Sequence, residues 1–180
     1  VYLVTSEVSA RLIKLSLEEK EHFLGEVPRL WLEGRQIHKL YLLLADYDFI
    51  NTKINNNQFG IRSLINDYIA IADSKLLANP KYWDAEKTIV LKLIQDALQL
   101  SAHILDKSGI ELTGQLWGRL LPFEEADIVK IRERINLSEK VWLRLLLPTL
   151  TPPGGRLLRT LTGHTSSVDS IVVTCNNKYI

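Results

Sequence analysis

The sequence has no methionine and a single cysteine, Cys175. One cysteine cannot form an intramolecular disulfide, so a disulfide-stapled secreted scaffold is excluded and a reducing, cytoplasmic compartment is expected. Apolar runs such as residues 40–45 fall far short of the roughly 20 residues that a membrane-spanning helix needs. Because Val1 is not a start methionine and no secretory leader is recognisable there, we expect these 180 residues to be an internal piece of a longer protein.

The chain also lacks an excess of charge of either sign. Lys and Arg total 22 and Asp and Glu total 21, which leaves a net charge of +1. A chain so close to neutrality gives no electrostatic reason to expect nucleic acid or an anionic membrane as its partner, and we predict neither. With 46% hydrophobic and 24% charged residues, the composition is that of an ordinary soluble globular protein.

Patterns that carry reaction chemistry are missing as well. No segment fits the phosphate-binding loop Gly-x-x-x-x-Gly-Lys-Ser/Thr. His22, His38 and His103 have no Cys, His or carboxylate partner at a metal-ligand spacing. Ser101, His103 and Asp106 have the composition of a catalytic triad, but Ser101 and His103 point to different faces of a helix, and we expect His103 to be a hydrogen-bonded packing residue. We therefore predict no catalytic residue, no metal and no cofactor, and a chain that is not an enzyme.

What the sequence does contain is a succession of helical patterns. Residues 16–19 form a Ser-x-x-Glu capping box that starts a helix, Gly25 is expected to end it, and Pro28 is expected to begin the next. Residues 10–15 fit a short helix or an edge strand, and we favour the helix. Apolar residues at spacings of three and four predict further helices over residues 36–45, 46–54, 59–72, 85–107, 111–121, 124–135 and 138–146.

The pattern over residues 85–107 is the longest and the most apolar. Eleven of the seventeen residues from Ile89 to Leu105 are apolar, which is wider than the stripe of a surface helix, so we predict this helix at the centre of a bundle. Short connections between successive helices favour antiparallel neighbours. The sequence therefore predicts a mainly α fold, an antiparallel helical bundle or a stack of helical hairpins, over residues 1–147.

Polar and aromatic clusters within this region have ordinary structural interpretations. Asp46 is predicted to cap a helix rather than to form a catalytic carboxylate pair with Asp48, because residues two apart on a helix do not face each other. The basic residues Lys130, Arg132 and Arg134 are predicted to form a solvated helix face. The tryptophans lie on apolar faces, which favours core packing over a stacking platform for single-stranded nucleic acid.

A change of composition marks the end of the helical patterns. Residues 148–156 contain three prolines and two glycines, which no helix can cross, and we predict a linker there. Beyond it, residues 157–161 and 168–174 are short β-rich runs separated by Gly163, His164 and small polar residues. We assign residues 157–180 to the beginning of a second, β-rich domain.

Several segments, taken together and in order, resemble one protein family. The family comprises apoptotic protease-activating factor and its bacterial relatives, in which a helical domain lies beside a WD-repeat propeller. The resemblance covers about residues 20–180 and is carried by these segments: 46–53 (DYDFINTK), 93–105 (LIQDALQLSAHIL), 115–120 (QLWGRL), 147–155 and 158–174. In that family the helical block joins an N-terminal nucleotide-binding module, of the signal-transducing ATPase class, to the C-terminal propeller.

The resemblance implies that residues 157–180 begin a WD-repeat propeller. Gly163 and His164 would then be the structural motif of the first blade, with the histidine bridging to a Ser or Thr and an Asp of that blade. Asn176 and Asn177 stand where WD repeats usually have a Pro-Asp-Gly-like turn, and the Trp-Asp pair that ends a blade does not occur. Asn-Asn can still support a tight turn, so the expected fold is unchanged.

The function implied is that of a non-catalytic structural and interaction module. It would be the helical arm that links a nucleotide-binding signalling ATPase module to a WD-repeat sensor propeller. Its expected partners are a protein bound by the propeller and the adjoining nucleotide-binding domain in cis. The alternative is a free-standing helical-repeat scaffold whose concave face binds a peptide or protein. An exposed apolar groove away from the propeller seam at residues 147–174 would favour this alternative.

Overall fold

Eight α-helices follow one another in the part of the chain that the structure describes. The computed structural model describes residues 7–73, 85–138 and 141–157, together with Ser167 and Ser170, and no strand occurs among these residues. A 3₁₀ turn at Gly109–Glu111 precedes the seventh helix. The helices are α1 (Glu7–Lys14), α2 (Leu17–Glu33), α3 (Ile37–Leu44), α4 (Tyr47–Ile54), α5 (Gly60–Asp73), α6 (Ala85–Leu105), α7 (Leu112–Leu120) and α8 (Ala126–Asn136). The mainly α fold is therefore confirmed. Helix α1 also covers most of residues 10–15, for which an edge strand was the alternative.

The helices pack against one another around α6. Each helix from α2 to α7 contacts the next one in the chain, and α6 also contacts α3. A second set of contacts joins α4 to α1 and to α8, so helices distant in sequence lie together. Helix α6 contributes eleven buried side chains, among them Ile94 and Leu98, which are completely inaccessible to solvent, and Leu105. The central position predicted for this helix is confirmed.

The helix starts follow the local signals in the sequence. Ser16 Oγ accepts from the Glu19 amide at 3.3 Å, and a Glu19 carboxylate oxygen accepts from the Ser16 amide at 2.8 Å, so the predicted capping box is present. Asp46 Oδ1 accepts from the Phe49 amide at 3.0 Å, which confirms Asp46 as the cap of α4. In the part of the chain that the structure describes, no helix is long and apolar enough to cross a membrane.

Helix α2 runs without interruption through both positions at which a break was expected. The predicted end at Gly25 and new start at Pro28 are wrong. Proline has no amide hydrogen, so Pro28 leaves the Leu24 carbonyl without its usual helical donor. Lys53 Nζ donates to that carbonyl at 2.7 Å and replaces the missing bond. At Gly25, a Cβ atom would lie 2.9 Å from Cζ of Phe59, so glycine serves the close approach of this ring rather than a helix end.

The predicted last helix, over residues 138–146, is also wrong. Described residues 141–145 have no regular secondary structure, residues 146 and 147 form a bend, and the chain continues in an irregular path to Pro153. We call residues 141–153 the exit strap. Leu147 precedes Pro148, a position that disfavours helical geometry, and a helix of so few residues has little stability of its own. Packing of the strap against α7, described below, therefore decides its conformation.

The basic cluster on α8 is only partly solvated. Lys130 is largely exposed, but Arg134 donates through Nε and Nη2 to the two carboxylate oxygens of Asp48, each at 2.8 Å. Arg132 donates to the Leu121 carbonyl at 3.0 Å. The prediction of a solvated face is thus wrong for these two arginines, because acceptors contributed by the segment after α7 and by α4 hold their guanidinium groups.

Candidate functional site

Trp117 of α7 contacts the exit strap through its indole N–H and through its ring. Trp117 Nε1 donates to the Leu145 carbonyl at 2.8 Å. Its ring lies 5.5 Å from that of Trp142, tilted by 56°, and the Arg144 guanidinium lies 4.5 Å from the centre of the Trp117 ring. The hydrogen bond fixes the position of the strap along α7, whereas the ring contacts and the cation–π contact cover the indole.

The next residue of α7 gives the strap room to approach. Gly118 is buried, and a Cβ atom built there would lie 2.6 Å from Leu145 Cδ1 and 2.8 Å from Leu150 Cδ1. These distances are shorter than real Cβ contacts, so a side chain at this position would force the two leucine methyl groups to shift. Gly114, one turn earlier, faces the strap at ordinary van der Waals distance, with the Leu143 carbonyl oxygen 3.7 Å from the same virtual atom.

The third residue, Arg119, is bonded to the strap and to the centre of the helical block. Its Nε donates to Ser101 Oγ and its Nη1 donates to the Thr151 carbonyl, both at 2.8 Å. Nη2 lies 3.3 Å from Gln115 Oε1 and 3.4 Å from the Leu100 carbonyl oxygen. Arg119 therefore connects α6, α7 and the strap in one hydrogen-bond network.

Arg119 carries its charge inside the protein. The residue is only 7% exposed, and no Asp or Glu among the described residues forms an ion pair with it. Burial lowers the pKa of its guanidinium. Arginine nevertheless keeps its proton in proteins, so neutral oxygens must solvate the charge, and one of them belongs to the strap. Losing the Thr151 carbonyl would leave a buried charged donor unpaired, which is costly.

Beyond Thr151 the strap ends in a turn that also lies on the helical block. Pro153 is buried, and Gly154 has a φ of +78°, a value that favours glycine. A Cβ built at Gly154 would touch Cδ2 of Leu93 on α6 at 4.0 Å. The site is therefore a seat, formed by α7 and α6, that holds the described residues 141–154 against the helical block. We call it the strap seat.

Side chains of the 46–53 segment join helices to one another. The Tyr47 hydroxyl lies 2.9 Å from Thr113 Oγ1 on α7, and burial raises the pKa of this tyrosine. Asp48 pairs with Arg134 of α8, and that carboxylate raises the pKa of the guanidinium. The segment thus connects α4 to α7, which forms part of the strap seat, and to α8.

Lys53, at the end of the same segment, is 1% exposed and has acceptors on two other helices. Besides the Leu24 carbonyl of α2, its Nζ donates to Asp67 Oδ2 of α5 at 2.5 Å. The ammonium lies 5.9 Å from the ring centre of Phe49 and 5.3 Å from that of Phe59. Burial raises the pKa of Asp67, and the Lys53 charge opposes that effect without cancelling it.

The triad that the sequence allowed on paper is not brought together. Ser101 is buried and donates to the Ala97 carbonyl while it accepts from Arg119. Asp106 pairs with Arg62 at 3.0 Å on the surface. His103 Nδ1 is buried without a hydrogen-bond partner among the described residues, so the expectation of a hydrogen-bonded histidine is wrong for this atom. Within the described ranges no group of three or more His, Cys, Asp and Glu residues is placed to hold a metal ion.

Two grooves lie away from the strap seat. One, of about 410 Å³ between α1 and α2, has an apolar floor that includes Leu15, Phe23 and Val27. The other, of about 360 Å³, lies between α3 and α8. There Asp127 accepts from the Tyr41 hydroxyl and from Lys130 Nζ. Burial opposes ionisation of Asp127, but these two hydrogen bonds hold its pKa below the ordinary value.

Gly163 and His164, the predicted blade motif, lie outside the described residues. The sequence did not predict the strap seat. Its residues on α7 lie in one of the segments that resemble the family, but no pattern indicated their contacts with Leu145 and Thr151. Comparison with protein-family models, with curated proteins and with solved structures gives no match to this chain.

Proposed function

We propose that this chain is a non-catalytic structural and interaction module. In this proposal it is an arm of antiparallel, stacked helical hairpins that links a nucleotide-binding module of a signal-transducing ATPase to a WD-repeat sensor propeller. The observation that carries the proposal is the strap seat. Trp117, Gly118 and Arg119 hold residues of the strap against the helices, and in this proposal that contact gives the following domain a fixed starting point.

An arm that transmits the movement of a neighbouring domain needs a rigid attachment to that domain. If the strap were a loose tether, movement of the following domain would be absorbed by the linker and would not reach the helices. With the strap seated on α7 and α6, capture of a protein ligand by the propeller would act on the arm as a rigid-body rotation. The adjoining nucleotide-binding domain in cis is the other partner, and the cytoplasm is the proposed location.

The polar residues of the resembling segments support this assignment. Tyr47, Asp48 and Lys53 bond to α7, α8, α5 and α2, and Arg119 bonds to α6 and the strap. Side chains that could carry chemistry are thus used to hold elements together. This is the arrangement expected of an arm that transmits force, and it agrees with the resemblance to the helical domain beside the propeller.

The coding sequence on either side of this chain tests the proposal. A phosphate-binding loop upstream and further WD repeats downstream are expected. A reading frame that has neither would contradict the proposal. Calorimetric titration of the chain itself with Mg-ATP should give no binding heat, because the nucleotide site belongs to the upstream module. Stoichiometric binding would place a nucleotide site in these residues and refute the assignment.

The groove between α1 and α2 favours the second candidate, a peptide-binding scaffold. Its floor is apolar, and Arg11, Glu18 and His22 on its rim could orient a ligand. A helical peptide selected for binding to the chain would distinguish the two functions. Loss of that binding in Leu15→Arg, with binding retained in the strap variant Leu143→Arg, would favour the scaffold.

A further inference from the structure

Helix α2 contains two residues, about one turn apart, that weaken a helix. Gly25 lacks a side chain to restrict the backbone, and Pro28 lacks an amide hydrogen. Proline is a main cause of sharp bends in helices. Before Pro28, α2 buries Phe23 and Leu24, whereas none of residues 29–33 is buried. The last part of α2 is therefore held by less buried packing than the first.

A side chain of α4 takes the place of the donor that is missing from α2. Leu24 is completely inaccessible to solvent, so bulk water does not reach the carbonyl that Pro28 leaves without a helical partner. Lys53 Nζ donates to this carbonyl at 2.7 Å. Because a buried acceptor without a donor is costly, the ammonium group stabilises the straight path of α2 through the proline.

The position of Lys53 depends in turn on α5. Its Nζ donates to Asp67 Oδ2 at 2.5 Å, and the Lys53 side chain is 1% exposed. A buried ammonium group separated from its carboxylate is strongly unfavourable. Lys53 therefore reaches the Leu24 carbonyl only while α4 and α5 both keep their places beside α2.

A second polar contact spans Pro28, but it lies on the surface. Arg29 Nη2 pairs with Glu26 Oε2 at 2.8 Å, and the two side chains are 65% and 44% exposed. Exposed ion pairs of this kind contribute little to stability. The buried contact of Lys53 is therefore the stronger restraint on the angle between the two parts of α2.

We propose that Pro28 is a hinge of α2 and that Lys53 is the latch that keeps this hinge closed. When α4 withdraws the Lys53 ammonium from the Leu24 carbonyl, residues 28–33 turn about Pro28 as a unit. This conformational device makes the end of α2 sensitive to the position of α4. It goes beyond the proposed function and does not rest on it, because it depends only on contacts within the helical block.

A pair of substitutions tests the latch. Lys53→Met keeps the aliphatic stem and removes the ammonium group, whereas Pro28→Ala restores an amide donor for the Leu24 carbonyl. The readout is the hydrogen-exchange rate of amides 29–33 divided by that of amides 20–24, so that a loss of global stability cancels. Lys53→Met should raise this ratio roughly tenfold or more in the otherwise unchanged chain. In the Pro28→Ala chain it should raise the ratio less than about threefold, because the helix supplies the donor itself.

Pro28→Ala by itself keeps the proposal testable if the Lys53→Met chain does not fold. It should lower the ratio about threefold or more, since α2 gains a hydrogen bond across the hinge. Lys92→Met is the matched control, because Lys92 also pairs with a buried carboxylate, that of Asp96, at 2.9 Å on α6. This control should leave the ratio unchanged.

The remaining outcomes overturn the proposal. An equal rise of the ratio with and without Pro28→Ala would show that Lys53 acts through general packing and not as a latch for the proline. An unchanged ratio in Lys53→Met would show that the ammonium group does not restrain the end of α2. A ratio that Pro28→Ala leaves unchanged would show that Pro28 is not a hinge. None of these results bears on the strap seat or on the domains that flank the chain, so the proposed function would stand or fall separately.

Discussion

Gly118→Ala probes the contact between α7 and the exit strap with the smallest possible change. Two effects oppose each other. Alanine in the interior of a helix is favoured over glycine by about 1 kcal/mol. Against this, the new methyl group would lie 2.6 Å from Leu145 Cδ1 and 2.8 Å from Leu150 Cδ1, so both leucine side chains must move. Overpacking of this kind typically costs about 1–3 kcal/mol.

Gly114→Ala is the matched control, because it lies on the same helix and one turn away. Its methyl group would meet the Leu143 carbonyl oxygen at 3.7 Å, an ordinary contact, so only the helix-propensity gain of about 1 kcal/mol applies. We therefore expect Gly114→Ala to stabilise the protein and Gly118→Ala to be neutral or destabilising. The difference in the free energy of unfolding should be about 1–3 kcal/mol.

Urea unfolding measures this difference, and NMR locates its origin. Each kcal/mol corresponds to roughly 2–4 °C in Tm for a chain of this size. The indole N–H signal of Trp117, assigned with Trp117→Phe, should shift and exchange faster in Gly118→Ala because the Leu145 carbonyl is displaced. If both alanine variants stabilise the protein equally and the indole signal does not change, Leu145 and Leu150 do not occupy this position and the strap seat is refuted.

Three further changes test contacts of the helical block. Asp67→Asn should cost about 3–5 kcal/mol by urea unfolding, because it leaves the charge of buried Lys53 unpaired; a neutral effect would contradict the buried pair. Leu98→Ala should cost about 2–5 kcal/mol by the same assay, since the site is completely buried, and a loss below 1 kcal/mol would argue against the central position of α6. The lowered pKa of Asp127 means that its contribution to stability is present above the unfolded-state pKa and is lost as the pH falls through the folded-state pKa. Tyr41→Phe removes one donor and should raise this pKa in an NMR titration; a pKa that stays the same would show that the hydroxyl does not stabilise the carboxylate.

Features set by near neighbours in the chain were predictable. The capping box at Ser16, the cap at Asp46 and the wide apolar surface of α6 all depend on residues within a few positions of one another. Such patterns specify a helix and its start whatever the rest of the protein does. For this reason most of the helix starts and the central position of α6 followed from the sequence.

Features set by distant residues were not predictable. Pro28 lies inside α2 because Lys53, 29 positions from Leu24, supplies the donor that proline lacks. The strap is not helical, and Trp117 and Arg119 bond to its carbonyls 28 and 32 positions further along the chain. The sequence signal against a helix in the strap was modest. It consists of the β-branched Val141, the aromatic Trp142 and, further along, Pro148. Apolar periodicity alone favoured a helix there, and tertiary packing overrode it.

The central claim, that the strap seat fixes the exit of the chain, is tested most directly by a distance distribution. Spin labels at Arg156→Cys, just beyond the strap, and at Ile89→Cys, on α6, are introduced together with Cys175→Ser, and pulsed electron paramagnetic resonance measures their separation. Arg119→Ala removes the link to Thr151, and Arg62→Ala, which removes an arginine whose side chain is 82% exposed, is the control. A single narrow distribution is predicted, broadened by Arg119→Ala and unaffected by Arg62→Ala. A distribution that is already broad before either substitution, or that Arg119→Ala leaves narrow, would contradict the account.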